Sequence, residues 1–230
     1  MAFFGLTRCQ VATVVAIIFH SIGLIGILYF DRDFFIRTTP LNLLLMFALL
    51  IYTHQTTSRS FIYFFVICFF SGILAELVGT KTGMLFGNYV YGTVLGPAIE
   101  GVPWIIGINW FIVMYCSGTA IHTLMYKLAA GKTGNDLPLS GKLRTLALII
   151  DGATLAVFFD WLMEPVAIKL GYWKWLGDGE IPFYNYLCWF VLSVLFLILF
   201  NRMSLYKNNK FAVHLLGIQA MFFLLLRTLL

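Results

Sequence analysis

Residues 144–175 read RTLALIIDGATLAVFFDWLMEPVAIKLGYWKW. The part from Arg144 to Ala167 is apolar and long enough to cross a hydrocarbon core, which takes about 20 such residues. Asp160 and Glu164 nevertheless stand near its far end, one helical turn apart and on one face. Charge is costly in that setting, so an acid inside a span is by default a functional hypothesis. The stretch therefore reads both as a membrane helix and as the holder of paired carboxyls.

The rest of the chain agrees with the first half of that reading. Of 230 residues, 61% are hydrophobic and 11% charged, and the mean hydropathy is +0.92. A soluble domain of this size has too much surface for such a composition. The expectation is an all-α integral membrane protein, a single polytopic domain over 1–230. Apolar runs predict seven spans, at 10–30, 38–53, 61–78, 104–127, 144–167, 184–201 and 211–229, the second being short. Breakers lie between them: DRDFFIRTTP, HQTTSRS, the Gly-rich segment 79–103, AAGKTGNDLPLSGK, 168–183 and NRMSLYKNNK. Pro165 is expected to end or kink its helix. No strands are evident.

Arg8, Arg59, Lys127, Lys132, Lys142, Arg144, Arg202, Lys207 and Lys210 fall on the N-terminal side of the bilayer, and Arg32, Arg37, Lys81, Lys169, Lys174 and Arg227 on the other. That balance, nine against six, predicts a cytoplasmic N-terminus. The net charge of +5 is spread over short loops, so it is explained by orientation and gives no sign of nucleic-acid binding. Arg8 followed by a long apolar run, without a small-residue cleavage site, reads as an uncleaved first span. Cys9, Cys68, Cys116 and Cys188 lie in or beside apolar runs with no close pair, so disulfides and zinc are not expected.

A second stretch matches the first. ELVGTKTGMLFGNYVY (76–91) is followed by Pro103-Trp104 and Trp110, and DWLMEPVAIKLGYWKW (160–175) by Pro182-Phe183 and Trp189. Each has an acid, ten residues, Gly, an aromatic at +2 and another at +4, then Pro-aromatic with Trp seven residues after the Pro. The spans carrying the acids run in the same direction. The expectation is a parallel repeat, with units of about 61–127 and 144–201, whose axis lies along the membrane normal and whose site lies at the interface of the halves. At 1.5 Å per residue, Glu76 lies roughly 22 Å and Asp160 roughly 24 Å along their spans, in the outer part of the hydrocarbon. Blander readings exist. Asp160 or Glu164 could cap a neighbouring helix or pair with Lys81, Lys169 or Lys174. Tyr89, Tyr91, Trp173 and Trp175 could be an interfacial aromatic belt. Asp151, on the opposite helical face from Asp160, reads as structural.

Several functions are disfavoured. His20, His54, His122 and His214 are dispersed, which argues against a histidine-held di-iron hydroxylase or desaturase. No Asp-rich diphosphate–magnesium motif suggests a prenyl transferase. No Lys lies inside the last span, since Lys210 only begins it, which argues against a retinal protein.

Glu76, Gly79, Thr80, Gly83, Phe86, Gly87, Tyr89 and Tyr91, together with Asp160, Glu164 and Pro165, resemble the pattern of the CruF-type membrane carotenoid biosynthesis proteins, the carotenoid 1,2-hydratases and bisanhydrobacterioruberin hydratases. The resemblance covers roughly residues 61–200. Glu164, where Asp is common before the Pro, and Cys188, where Gly often precedes Trp, depart from it. The resemblance implies addition of water across the terminal C1=C2 bond of an acyclic carotenoid within the bilayer, without a cofactor. Protonation at C2 gives a tertiary cation at C1 that captures water. Such chemistry needs a dry proton donor, and burial in hydrocarbon favours the neutral form of a carboxyl. Asp160 and Glu76 are the expected acid/base pair, with Glu164 as relay or alternative acid. Tyr89, Tyr91, Trp173 and Trp175 would steady the cation; Phe86, Trp110 and Trp189 would complete the substrate wall, and Asn109 and Asn185 would hold water. A carotenoid cyclase, a proton-coupled transporter and a non-catalytic carotenoid binder are the alternatives.

Overall fold

A computed structural model describes residues 5–54, 58–130 and 141–230. Its helices are α1 (Arg8–Tyr29), α2 (Arg32–Arg37), α3 (Thr39–Thr53), α4 (Arg59–Thr82), α5 (Ile105–Ala130), α6 (Gly141–Lys169), α7 (Phe183–Arg202) and α8 (Lys210–Leu229). Six of these are long and apolar enough to cross a membrane, and α3 is a shorter apolar helix. The protein is an all-α integral membrane protein of about seven spanning helices. The segment DRDFFIRTTP, expected to be only a breaker, contains α2, started by the Asp31 side chain accepting from Phe34 N–H. The expected breaker residues 55–57 and 131–140, including Lys132, lie outside the described residues.

Local chemistry sets the helix ends. Thr7 and Gln10 form a reciprocal capping box on α1. Ser58 and Asn209 cap α4 and α8 by accepting from Phe61 and Phe211 N–H. Gly171, at φ +72°, closes α6 with bonds from Tyr172 N to Ala167 O and Gly171 N to Ile168 O, the left-handed stop that glycine takes without strain.

The structure corrects the expectation for Pro165, because α6 continues past it to Lys169. Proline lacks the N–H that Trp161 O would accept. Arg227, at the end of α8, donates to that carbonyl at 2.8 Å, with its guanidinium 3.8 Å from the Trp161 ring centre. The orphaned acceptor is thus satisfied from a neighbouring helix, which is how membrane helices tolerate interior proline. Arg32 likewise caps α6 by donating to Lys169 O at 2.6 Å.

Helix α5 is central: it touches α3, α4, α6, α7 and α8, and 78% of its apolar window is buried against 28% for α1 and α8. It approaches α4 where Gly72 faces Trp110; a Cβ at 72 would stand 2.6 Å from that indole. Large apolar side chains such as Ile22, Phe70 and Leu195 are exposed, as on lipid-facing helix surfaces. Asp151 is exposed, and all four cysteines are free.

The expectation of no strands was incorrect. Beyond the C-terminal ends of α4 and α6, β1 (Tyr89–Tyr91) pairs antiparallel with β4 (Trp173–Trp175), and β2 (Ala98–Ile99) pairs with β3 (Val102–Pro103). In the first ribbon Tyr89 faces Trp175, Val90 faces Lys174 and Tyr91 faces Trp173. The +2 aromatic of each matching stretch therefore meets the +4 aromatic of the other, with Val90 and Lys174 as the central pair.

Candidate active site

The site is built from two helix faces and one ribbon. Alternation along a strand sends successive side chains to opposite sides. Tyr89 and Tyr91 therefore share one face of the ribbon with Trp173 and Trp175, while Lys174 points outward and is exposed. Below the ribbon lie Glu76 on α4 and Asp160 and Glu164 on α6, which are 5%, 0% and 3% exposed.

Each acid has its own set of donors. Glu76 Oε2 accepts from the hydroxyls of Tyr89 and of Tyr91, the latter at 2.8 Å, and its Oε1 accepts from Trp110 Nε1 at 2.9 Å. Glu164 Oε2 accepts from Trp173 Nε1 at 3.0 Å and Trp175 Nε1 at 3.1 Å. Asn185 Nδ2, on α7, donates to Asp160 Oδ2 at 3.0 Å and, over a longer 3.4 Å, to Glu164 Oε1. Hydrogen bonds to a charged acceptor contribute about 1.5–3 kcal/mol each, so three of them offset much of the several-kcal/mol cost of burying a carboxylate. Burial, reinforced by the negative charge of Glu76, raises both Tyr89 and Tyr91 above the usual phenol range, so both remain O–H donors.

These contacts replace the blander readings. The four ribbon aromatics are not a belt facing headgroups: their polar atoms are committed to carboxylates. None of the three acids is paired with lysine among the described residues; Lys81 instead pairs with the exposed Glu100 at 3.1 Å.

Every site residue singled out from the sequence lines one cavity: Glu76, Asp160 and Glu164; Tyr89, Tyr91, Trp173 and Trp175; Phe86, Trp110 and Trp189; and Asn109 and Asn185. Trp110 and Trp189, the matching tryptophans of the two stretches, stack with ring centres 4.1 Å apart and planes 13° from parallel. Phe86 lies 6.2 Å from Trp110 and 6.4 Å from Trp189. Two apolar liners went unnoticed, Ile106 and Met163. The spacing offered a signal for both: Ile106 follows Pro103 by the same interval as Asn185 follows Pro182, and Met163 lies within a turn of Asp160 and Glu164.

The cavity volume is about 30 Å³. A water needs roughly 10–15 Å³ of such space, so there is room for about two or three. This is far below the roughly 300 Å³ at which small-molecule sites begin. Among the described residues no group of three or more His, Cys, Asp or Glu is arranged to hold a metal ion.

A family model described as "Carotenoid biosynthesis protein" matches residues 38–230. Bisanhydrobacterioruberin hydratase of the archaeon Haloarcula japonica is 27% identical over 129 residues, covering 55% of this chain and 40% of that protein. The chain thus spans less than half the length of that curated relative. No solved structure matches. The family match takes in α3 through α8, and with them both acid-bearing helices, the aromatic ribbon and the stacked tryptophans: the chain belongs to the carotenoid biosynthesis protein family.

Proposed function

We propose that the protein is a cofactor-independent carotenoid 1,2-hydratase, adding water to the terminal C1=C2 bond of an acyclic carotenoid drawn from the bilayer. The observation that carries this reading is the convergence of Glu76, Asp160 and Glu164 on one aromatic-walled cavity with room for water and no counter-cation among the described residues. Family membership and the partial likeness to a named hydratase support the substrate class.

The chemistry follows from what an isolated alkene lacks. It is a very weak base, so it needs a carboxylic acid held out of bulk water. Protonation at C2 leaves a tertiary cation at C1. The ring faces of Tyr89, Tyr91, Trp173 and Trp175 steady that charge by roughly 0.5–2 kcal/mol each, and the ionised carboxylate opposite adds to this. Water held beside Asn109 and Asn185 then captures the cation. An end group is admitted from the lipid by displacement of side chains, with Met163 the most adaptable of the liners.

In this reading the two halves, about 61–127 and 144–201, are parallel repeats meeting at the site. The N-terminus faces the cytoplasm of a bacterial or archaeal cell, and the ribbon faces outward. Arg32, Lys169 and Arg227, counted from the sequence on the side opposite the N-terminus, gather at the ribbon end of the bundle.

The test is expression in bacteria making lycopene, with mass spectrometry of the pigments. Hydration adds one water per reacted end, and cyclisation adds nothing. Full product formation by both Asp160→Asn and Glu76→Gln removes the mechanism. The transporter reading is weakened by the position of the acids, which lie under a ribbon at one end of the bundle and not at its middle.

A further inference from the structure

The hydrogen-bond inventory of the site leaves one carboxyl oxygen over. An indole N–H can only donate, so Glu164 Oε2, which takes two of them, is held as an acceptor. Glu76 accepts an indole N–H on one oxygen and two phenols on the other. Asp160 is fully buried and accepts only from Asn185, on Oδ2; its Oδ1 is buried with no partner. A buried carboxylate oxygen without a donor is costly, whereas a carboxylic acid turns the same oxygen into a donor. Asp160 and Glu164 also share the Asn185 amide, and two like charges so placed repel unless one is neutral.

We infer that Asp160 carries the reactive proton on Oδ1, while Glu76 is the fixed anion that faces the developing cation. This assignment rests on the hydratase reading and divides the labour that reading leaves open. The Oδ1–H bond breaks as the alkene π pair forms the new C2–H bond. The water lone pair forms the C1–O bond, and the oxonium proton returns to the Asp160 carboxylate. The net change is one water added, with no oxidant or reductant. Three donors occupy both lone pairs of Glu76 Oε2 and one of Oε1, which lowers the nucleophilicity of the carboxylate and disfavours trapping of the cation as an ester. In that cradle Trp110 is a positioning residue, while the hydroxyls of Tyr89 and Tyr91 hold Glu76 and their ring faces meet the cation.

The test is infrared spectroscopy of the purified full chain in detergent, alongside pigment analysis in the lycopene-making host. The carboxylic-acid C=O band is expected to vanish in Asp160→Asn and to persist in Glu76→Gln and Glu164→Gln. Product is expected to fall about 100-fold or more in Asp160→Asn, the scale of a lost general acid, with partial recovery in Asp160→Glu. A band that survives Asp160→Asn, or disappears in Glu164→Gln or Glu76→Gln alone, overturns the assignment. If the band behaves as expected but the wild-type chain makes no hydrated pigment, the proton location stands and the hydratase reading falls.

Discussion

Replacing Arg227 with Met should destabilise the protein by an amount that depends on residue 165. In the native chain Arg227 performs two tasks: it donates to the Trp161 carbonyl orphaned by Pro165, and its guanidinium lies over the Trp161 ring. A hydrogen bond from a charged donor contributes about 1.5–3 kcal/mol; because this one is exposed, about 1 kcal/mol is the working figure. The ring contact adds about 0.5–1 kcal/mol at an exposed site. Arg227→Met should therefore cost about 1.5–2 kcal/mol. In a Pro165→Ala background the alanine N–H can serve the Trp161 carbonyl within the helix, so only the ring contact remains to be lost. The same Arg227→Met change should then cost about 0.5–1 kcal/mol, leaving a coupling of about 1 kcal/mol between the two sites. Tryptophan fluorescence during unfolding in mixed micelles measures all four corners of this cycle. A coupling below about 0.3 kcal/mol, the scatter of independent sites, refutes the claim that Arg227 replaces the missing helical bond. The link matters for function because the part of α6 beyond Pro165 leads into the strand that sets Trp173 and Trp175 over Glu164.

Two further perturbations separate hydrogen bonding from packing. Trp173→Phe and Trp175→Phe keep an aromatic wall but remove an indole donor from Glu164, so each should lower pigment turnover about tenfold, the scale of one charge-assisted bond; Lys174→Ala, on the outward face, serves as the control and should be neutral in the same assay. Gly72→Ala sets a methyl 2.6 Å from the Trp110 ring, which should cost about 1–3 kcal/mol of stability and draw the indole away from Glu76, seen as a shifted tryptophan emission together with lost product.

The sequence by itself determined the membrane class, the long spans within a few residues and all the polar and aromatic residues around the cavity, though not its apolar liners Ile106 and Met163. These are local or compositional properties: apolar run length sets a span, and an acid inside one is conspicuous because its burial is costly. The matching spacing of Glu76 with Tyr89 and Tyr91, and of Asp160 with Trp173 and Trp175, was legible for the same reason. What each partner does was decided only in three dimensions. The spacing pairs Trp173 and Trp175 with Asp160, as Tyr89 and Tyr91 go with Glu76, but the folded chain gives those indoles to Glu164 and leaves Asp160 with one amide donor. The β1–β4 ribbon was invisible because three residues carry too little periodicity to reveal a strand, and its partner comes from the other half of the chain. The survival of α6 past Pro165 was equally hidden, since it depends on a carbonyl reached by an arginine from α8. A hydrogen bond between distant segments leaves no local pattern, and it is such bonds that set the proton inventory of the cavity.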